Sequence, residues 1–171
     1  MSSKGRGAFG RFVLVIAAVG TASAAAAAPI LKLTGWDRGA VERAREGAVK
    51  RLAQPECQKL FDDFTDAQGR SLRQNLEEWT PSPAEYVGLV PFLDGSAQPG
   101  CRNSKVALST SPGVRRVFVC KAFADYQLHQ PGVAESMVIH EILHTLGLGE
   151  APQHGAPTSI EITQRVEARC R

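Results

Sequence analysis

The chain has 171 residues, a length that suits one domain with a modest hydrophobic core. It carries 20 lysine and arginine residues against 17 aspartate and glutamate residues, so its formal net charge is +3 at pH 7. Because the basic residues form no cluster on any predicted face, the sequence does not predict binding to nucleic acid.

The amino terminus has the layout of a secretory signal peptide. Basic residues at positions 4, 6 and 11 precede the apolar run 12–19, which passes into small residues up to Ala28. We therefore predict a signal peptide over residues 1–28 and a single secreted or periplasmic domain over residues 29–171. An uncleaved membrane anchor is the alternative interpretation, although alanine is only weakly apolar. After cleavage, 17 basic and 17 acidic residues balance, and no stable membrane association is expected.

Four cysteines fall in the predicted mature domain, and this even number indicates two disulfides in an exported chain. Sequence spacing leaves three connectivities open. We favour Cys101 with Cys120, across neighbouring strands, and Cys57 with Cys170, which would tie the early helices to the carboxyl end. A four-cysteine zinc site is not predicted, because no two cysteines have C-x-x-C spacing.

Helical patterns dominate the first part of this domain. Apolar residues recur at three- and four-residue steps over residues 37–52, and Asp37 is placed to cap the start. A second helical segment is predicted over residues 55–64, and a third, short helix over residues 71–79.

Three β-rich runs bounded by Gly, Pro and Asp follow the helical part. They predict strands over residues 86–93, 105–110 and 114–121. The sequence Ser111-Pro112-Gly113 between the last two runs predicts a hairpin turn.

Two further helices complete the predicted fold. One should span residues 133–146 and end at Gly147 in the left-handed conformation. The other should start at Thr158 or Ser159, with Glu161 in a capping box, and end near Cys170. Together the elements predict an α+β domain whose small, mostly antiparallel sheet is flanked by amino-terminal helices, the helix 133–146 and a carboxyl-terminal helix.

Residues 140–144 read His-Glu-Ile-Leu-His within the first of these helices. His140 and His144, four residues apart, project from one helical face and can bind one metal ion. Glu141 is turned by about 100° from His140, where its carboxylate can reach water on the metal. Zinc suits this arrangement, since it lowers the pKa of bound water to about 7 while a carboxylate accepts the proton. A buried amphipathic helix with hydrogen-bonded histidines is the alternative.

The eleven residues HEILHTLGLGE, from His140 to Glu150, resemble the active-site helix of zincin metalloproteases. They are more closely similar to the extended H-E-x-x-H-x-x-G-x-x-(H/D) form of metzincins and snapalysin-like secreted enzymes. The resemblance implies a zincin-like fold, two histidine zinc ligands, Glu141 as general base and a third ligand three residues after Gly147. It also implies that an edge strand, which we assign to residues 114–121, pairs with extended substrate.

The third ligand is open at this point. The resemblance implies Glu150, while His154 in the following loop and Glu161 on the last helix compete for the same role. The sequence departs from metzincins in having glutamate at this position and in having no methionine after the motif.

The sequence therefore predicts a secreted zinc metallopeptidase that acts on a peptide or protein. Zinc would be held by His140, His144 and Glu150, and Glu141 would be the catalytic base. Two alternatives stay open: a disulfide-stabilised binding module with structural zinc or none, and a zinc amidase acting on the cell wall. Four protein ligands would favour the binding module, whereas three ligands with an open position favour catalysis.

Overall fold

The structure is a computed structural model that describes residues 31–33, 35–103 and 105–171. The predicted signal peptide lies outside the described residues. Within them the chain has an α+β fold, as expected. The helices are α1 (Gly35–Leu52), α2 (Pro55–Gln58), α3 (Leu72–Glu77), α4 (Pro83–Leu89), α5 (Phe123–His129), α6 (Pro131–Thr145) and α7 (Ser159–Arg169), and the strands are β1 (Leu31–Lys32), β2 (Phe92–Asp94), β3 (Leu108–Ser109) and β4 (Val117–Val119).

The sheet is mixed, so the predicted mostly antiparallel arrangement is wrong. Its strand order is β1-β2-β4-β3, in which β1 and β4 both pair with β2 in parallel and only β3 and β4 are antiparallel. Helices α1 to α4 lie between β1 and β2, and such long connections return the chain to the same end of the sheet. The sequence signals located strands but carried no information on these crossovers.

The predicted hairpin joins β3 and β4. Val114 donates its N–H to the carbonyl of Ser111 at 3.0 Å, and Gly113 has a φ of +74°. Because β4 lies between β2 and β3, the assignment of residues 114–121 to an edge strand is wrong. The free edge beside α6 belongs to β3 instead.

Residues 86–89 form part of a helix, which corrects the prediction of a strand from residue 86. Ser82 caps α4 by accepting the N–H of Glu85, and Pro83 occupies the first turn, where its fixed φ suits a helix. The buried residues Tyr86 and Val87 follow helical spacing as well as an apolar run. The capping pattern at residues 82–85 was therefore the more informative signal.

Helix α5 was not predicted. It begins soon after β4, buries Phe123 and Gln127, and ends at His129. No side chain caps its first turn, so the sequence lacked the usual signal for a helix start.

Helix α6 runs through the core, close to the predicted bounds. It contacts α1, α5 and α7 as well as β3 and β4. Its buried residues are Ala134, Ser136, Val138, Ile139, His140, Ile142, Leu143, His144 and Thr145. A helix packed on so many sides has little freedom to rotate, which gives the histidines a rigid base.

Both predicted disulfides are confirmed, Cys57 with Cys170 and Cys101 with Cys120. The capping box at the start of α7 is also confirmed: Thr158 accepts the N–H of Glu161, whose carboxylate accepts the N–H of Thr158. Within the described part of the chain, every helix is too short or too polar to cross a membrane.

We expect the two disulfides to stabilise the fold unequally. They close loops of 113 and 19 residues, and the chain entropy removed from the unfolded state grows with loop length. Replacing Cys57 and Cys170 by alanine should lower the free energy of unfolding by about 5 kcal/mol, against about 3 kcal/mol for Cys101 and Cys120. Urea denaturation of the two double variants measures this, and the reverse order would contradict the expectation.

Candidate metal centre

Three electron-pair donors converge at the end of α6. His140 Nε2 and His144 Nε2 are 3.0 Å apart, and Glu150 Oε2 lies 3.1 Å from His144 Nε2 and 3.5 Å from His140 Nε2. The histidines are buried and Glu150 is half-buried. His140 and His144 hold the pKa of the Glu150 carboxyl below its usual range, which keeps it ionised. These residues are a group that could hold a metal ion.

Hydrogen bonds on the far side of each imidazole orient the two rings. His144 Nδ1 donates to the carbonyl of Leu148 at 2.7 Å, so a neutral His144 has its lone pair on Nε2. His140 Nδ1 lies 3.1 Å from the hydroxyl of Thr163 on α7, and a bond donated to this hydroxyl leaves the lone pair of His140 on Nε2 as well. Partners of this kind set the tautomer of metal-binding histidines.

The group fits zinc in both chemistry and spacing. Zinc binds imidazole nitrogen and carboxylate oxygen at about 2.0–2.2 Å, so tetrahedral ligands lie about 3.3–3.6 Å from one another. The three separations observed, 3.0 to 3.5 Å, are close to that value. Without a metal ion, these distances are favourable only where a histidine proton lies between the atoms, as in the hydrogen bonds that lower the pKa of the Glu150 carboxyl.

The turn that follows α6 positions the third donor, Glu150. Gly147 and Leu148 donate their N–H groups to the carbonyls of His144 and Leu143 at 2.9 and 3.2 Å, which is a Schellman motif. Gly147 has a φ of +107°, a conformation that side chains disfavour. The sharp turn brings Glu150 back over the helix.

Glu141 lies on the same helix with its carboxylate in the wall of the site. Its Oε2 atom is buried and hydrogen-bonded to no described residue. Burial raises the pKa of the Glu141 carboxyl to about 7, against the smaller opposing effects of His144 and of a hydrogen bond from Thr110. A carboxyl with this pKa can accept or donate a proton near neutral pH.

The donors open onto a cleft of about 340 Å³. It lies between α6, the edge strand β3 and the hairpin turn, and its wall includes Val106, Leu108, Thr110 and Pro112. Among the described residues, this lining contains no lysine or arginine. A molecule bound in the cleft would therefore contact His140, His144 and Glu150 on one side and a mainly uncharged wall on the other.

The other two predicted ligands do not join the group. His154 is exposed and lines a separate cleft on the far side of the loop 149–157. Glu161 uses its carboxylate to cap α7, where it accepts bonds from the N–H and hydroxyl of Thr158 at 2.8 Å. Of the three candidates, Glu150 alone lies within reach of both histidines.

Comparison with known proteins finds no matching family model, no similar curated protein and no similar solved structure. The interpretation of the site therefore depends on its own geometry and chemistry.

Sequence reasoning missed the residues that orient the ligands. Thr163 supports His140 from 23 positions away, and the support of His144 by Leu148 uses a main-chain carbonyl that any residue supplies. The sequence predicts that Thr163 lies near the start of the last helix, but nothing in it predicts that α7 packs against α6.

Replacing Thr163 by valine, which has nearly the same shape, should weaken metal binding. The variant loses the hydroxyl beside His140 Nδ1, and loss of such a partner typically costs about 10–100-fold in metal affinity. Competition with a chromogenic zinc chelator measures the change. Thr163→Ser keeps the hydroxyl and serves as the control; equal affinities for both variants would contradict the role of this bond.

Proposed function

We propose that this chain is a secreted zinc-dependent hydrolase that cleaves amide bonds in peptides or proteins. One observation carries the proposal: His140, His144 and Glu150 converge at the wall of a cleft that the buried carboxyl of Glu141 also lines. Two imidazoles and one carboxylate form the ligand set of several catalytic zinc sites. The short motif similarity to zincins agrees with this proposal.

In this proposal, each residue has a distinct role. His140, His144 and Glu150 would hold zinc, which when bound would supply a Lewis acid that polarises a carbonyl and activates water near neutral pH. Glu141 would accept the proton of the attacking water through its carboxyl group, which lines the cleft, and then donate it to the leaving nitrogen. Its raised pKa suits both transfers.

The edge strand β3 offers a place for extended peptide. Cys120, the residue after β4, donates its N–H to the carbonyl of Ala107, the residue before β3. By the alternation of an antiparallel pair, the N–H and C=O of Leu108 then point away from β4, towards the free edge. A peptide added at this edge would lie along the cleft wall. The apolar groups of Val106, Leu108 and Pro112 favour uncharged side chains at these positions.

Catalysis is favoured over a purely structural zinc. The described residues provide three ligands within reach of one another, and a structural site normally has four from the protein. The remaining position would face the cleft. Export is the second part of the proposal, and the two disulfides are compatible with an oxidising compartment.

Glu141→Gln should retain zinc and lose hydrolysis. The amide cannot accept the proton, and loss of general acid–base catalysis typically costs about 10²–10⁴-fold in rate. Digestion of a fluorescently labelled, denatured protein gives the rate, and elemental analysis gives the zinc content. Glu167→Gln, an exposed change on α7, is the matched control. Full activity of the Glu141 variant would remove this residue from the reaction.

His144→Ala should lose both zinc and turnover, because only one imidazole and one carboxylate would remain. His154→Ala is the matched control, since His154 lies outside the group, and it should keep about one zinc per chain. Elemental analysis of both variants after dialysis decides between them. If His154→Ala lost zinc and His144→Ala kept it, the assignment of the ligands would be wrong.

A further inference from the structure

A side chain from a distant segment holds the carboxyl end of α6, the helix that carries His140 and His144. Asn75 on α3 donates from Nδ2 to the carbonyl of Leu146 at 2.9 Å, across 71 positions of sequence. Leu146 directly follows α6, and its carbonyl is one of the groups that a helix end leaves without a partner in the helix. The bond therefore attaches the helix exit to a separate element.

Asn75 is itself held in place by Asp66. The same Nδ2 donates to Asp66 Oδ2 at 2.8 Å, while Asp66 Oδ1 accepts the N–H groups of Gln68 and Arg70 at 2.9 Å each. Asp66 thus closes its own turn and orients Asn75 at once. A Cβ atom added to Gly147 would lie 3.1 Å from Asp66 Cβ and 3.6 Å from Asn75 Nδ2, so this pair also contacts the turn after α6.

The amide of Asn75 has a single workable orientation. Its Nδ2 faces two oxygens that can only accept, the carbonyl of Leu146 and the carboxylate of Asp66. Its Oδ1 is buried and hydrogen-bonded to no described residue. Rotating the amide by 180° would place oxygen against oxygen, so the site requires a double donor at this position.

The helix exit that Asn75 holds controls two contacts of the metal group. The Leu148 carbonyl, two residues beyond Leu146, accepts the bond from His144 Nδ1, and Glu150 follows two residues later. A shift of this short segment would move both contacts together. Besides the Schellman turn, the other bond to this end of the helix comes from Gly113, whose N–H donates to the carbonyl of His144 at 2.9 Å, before the exit segment that Asn75 holds.

We propose that Asn75 is a positioning residue of the metal centre. By holding the Leu146 carbonyl, it orients the Leu148 carbonyl towards His144 and the Glu150 carboxylate towards both histidines. The effect on zinc affinity rests on the proposed function, whereas the effect on the tautomer of His144 does not.

The test uses Asn75→Asp, which has nearly the same shape but presents oxygen to both partners, and Asn75→Ala as a second variant that removes the amide without adding a charge. Ser71→Ala is the matched control, because it removes the cap of the same helix α3 and leaves Asn75 intact. Nitrogen-15 NMR of the metal-free full chain at about pH 8 gives the tautomer of His144. Chelator competition gives the affinity for zinc.

In the unmodified chain and in Ser71→Ala we expect His144 to carry its proton on Nδ1. Both Asn75 variants should shift it towards the Nε2–H form, and the dissociation constant for zinc should rise by about 10–100-fold. A wild-type tautomer in both Asn75 variants, or an equal shift in Ser71→Ala, would overturn the positioning role. If the unmodified chain binds no zinc while the tautomer of His144 still shifts in the Asn75 variants, the proposed function fails. The positioning of His144 by Asn75 then stands by itself.

Discussion

The structure depends on one local conflict, the close approach of three electron-pair donors in a place with little water. Two imidazole nitrogens and a carboxylate oxygen lie 3.0 to 3.5 Å apart. If the protons of neutral His140 and His144 lie on their far nitrogens, none of the three atoms can donate to another, and in a low-dielectric site such an arrangement is unfavourable unless a cation binds it. The fold must therefore supply, through packing elsewhere, the free energy that keeps the donors together before any ion arrives. That is the usual sign of a site selected for binding rather than for stability.

Local physical chemistry accounts for the part of the site that the sequence predicted. The i, i+4 spacing of His140 and His144 on a helix puts both rings on one face, whatever the rest of the chain does. A glycine was needed at residue 147 for the left-handed exit, and Glu150 follows at a distance set by that turn. The capping box of Thr158 and Glu161 is equally local, and the sequence predicted it. Glu161 could be excluded as a ligand only from the hydrogen bonds that its carboxylate accepts from Thr158.

Long-range contacts account for what the sequence could not give. The parallel pairing of β2 with β1 and β4 arises from crossovers, and apolar runs such as residues 86–90 fit a buried helix as well as a strand. Thr163 reaches His140 only because α7 packs on α6, and Asn75 reaches Leu146 from across the chain. A threonine or an asparagine in a helix carries no sign of its partner. Helix and ligand positions were thus predictable to the extent that they depend on neighbours in sequence.

The same long-range contacts make the metal group a property of the whole fold. Helix α7, which supports His140, is fastened at its end by the Cys57–Cys170 disulfide and by the paired bonds of Arg169 to Asp63, both at 2.8 Å. These tethers hold α7, which supports His140, while Asn75 on α3 holds the turn that leads to Glu150. Loosening either contact would therefore move the donors apart. Metal binding would in turn hold α6, its exit and α7 together, so that binding and folding reinforce each other. Were the three residues to bind zinc, such tethering would keep the donors in place and leave a fourth position for a molecule from the cleft.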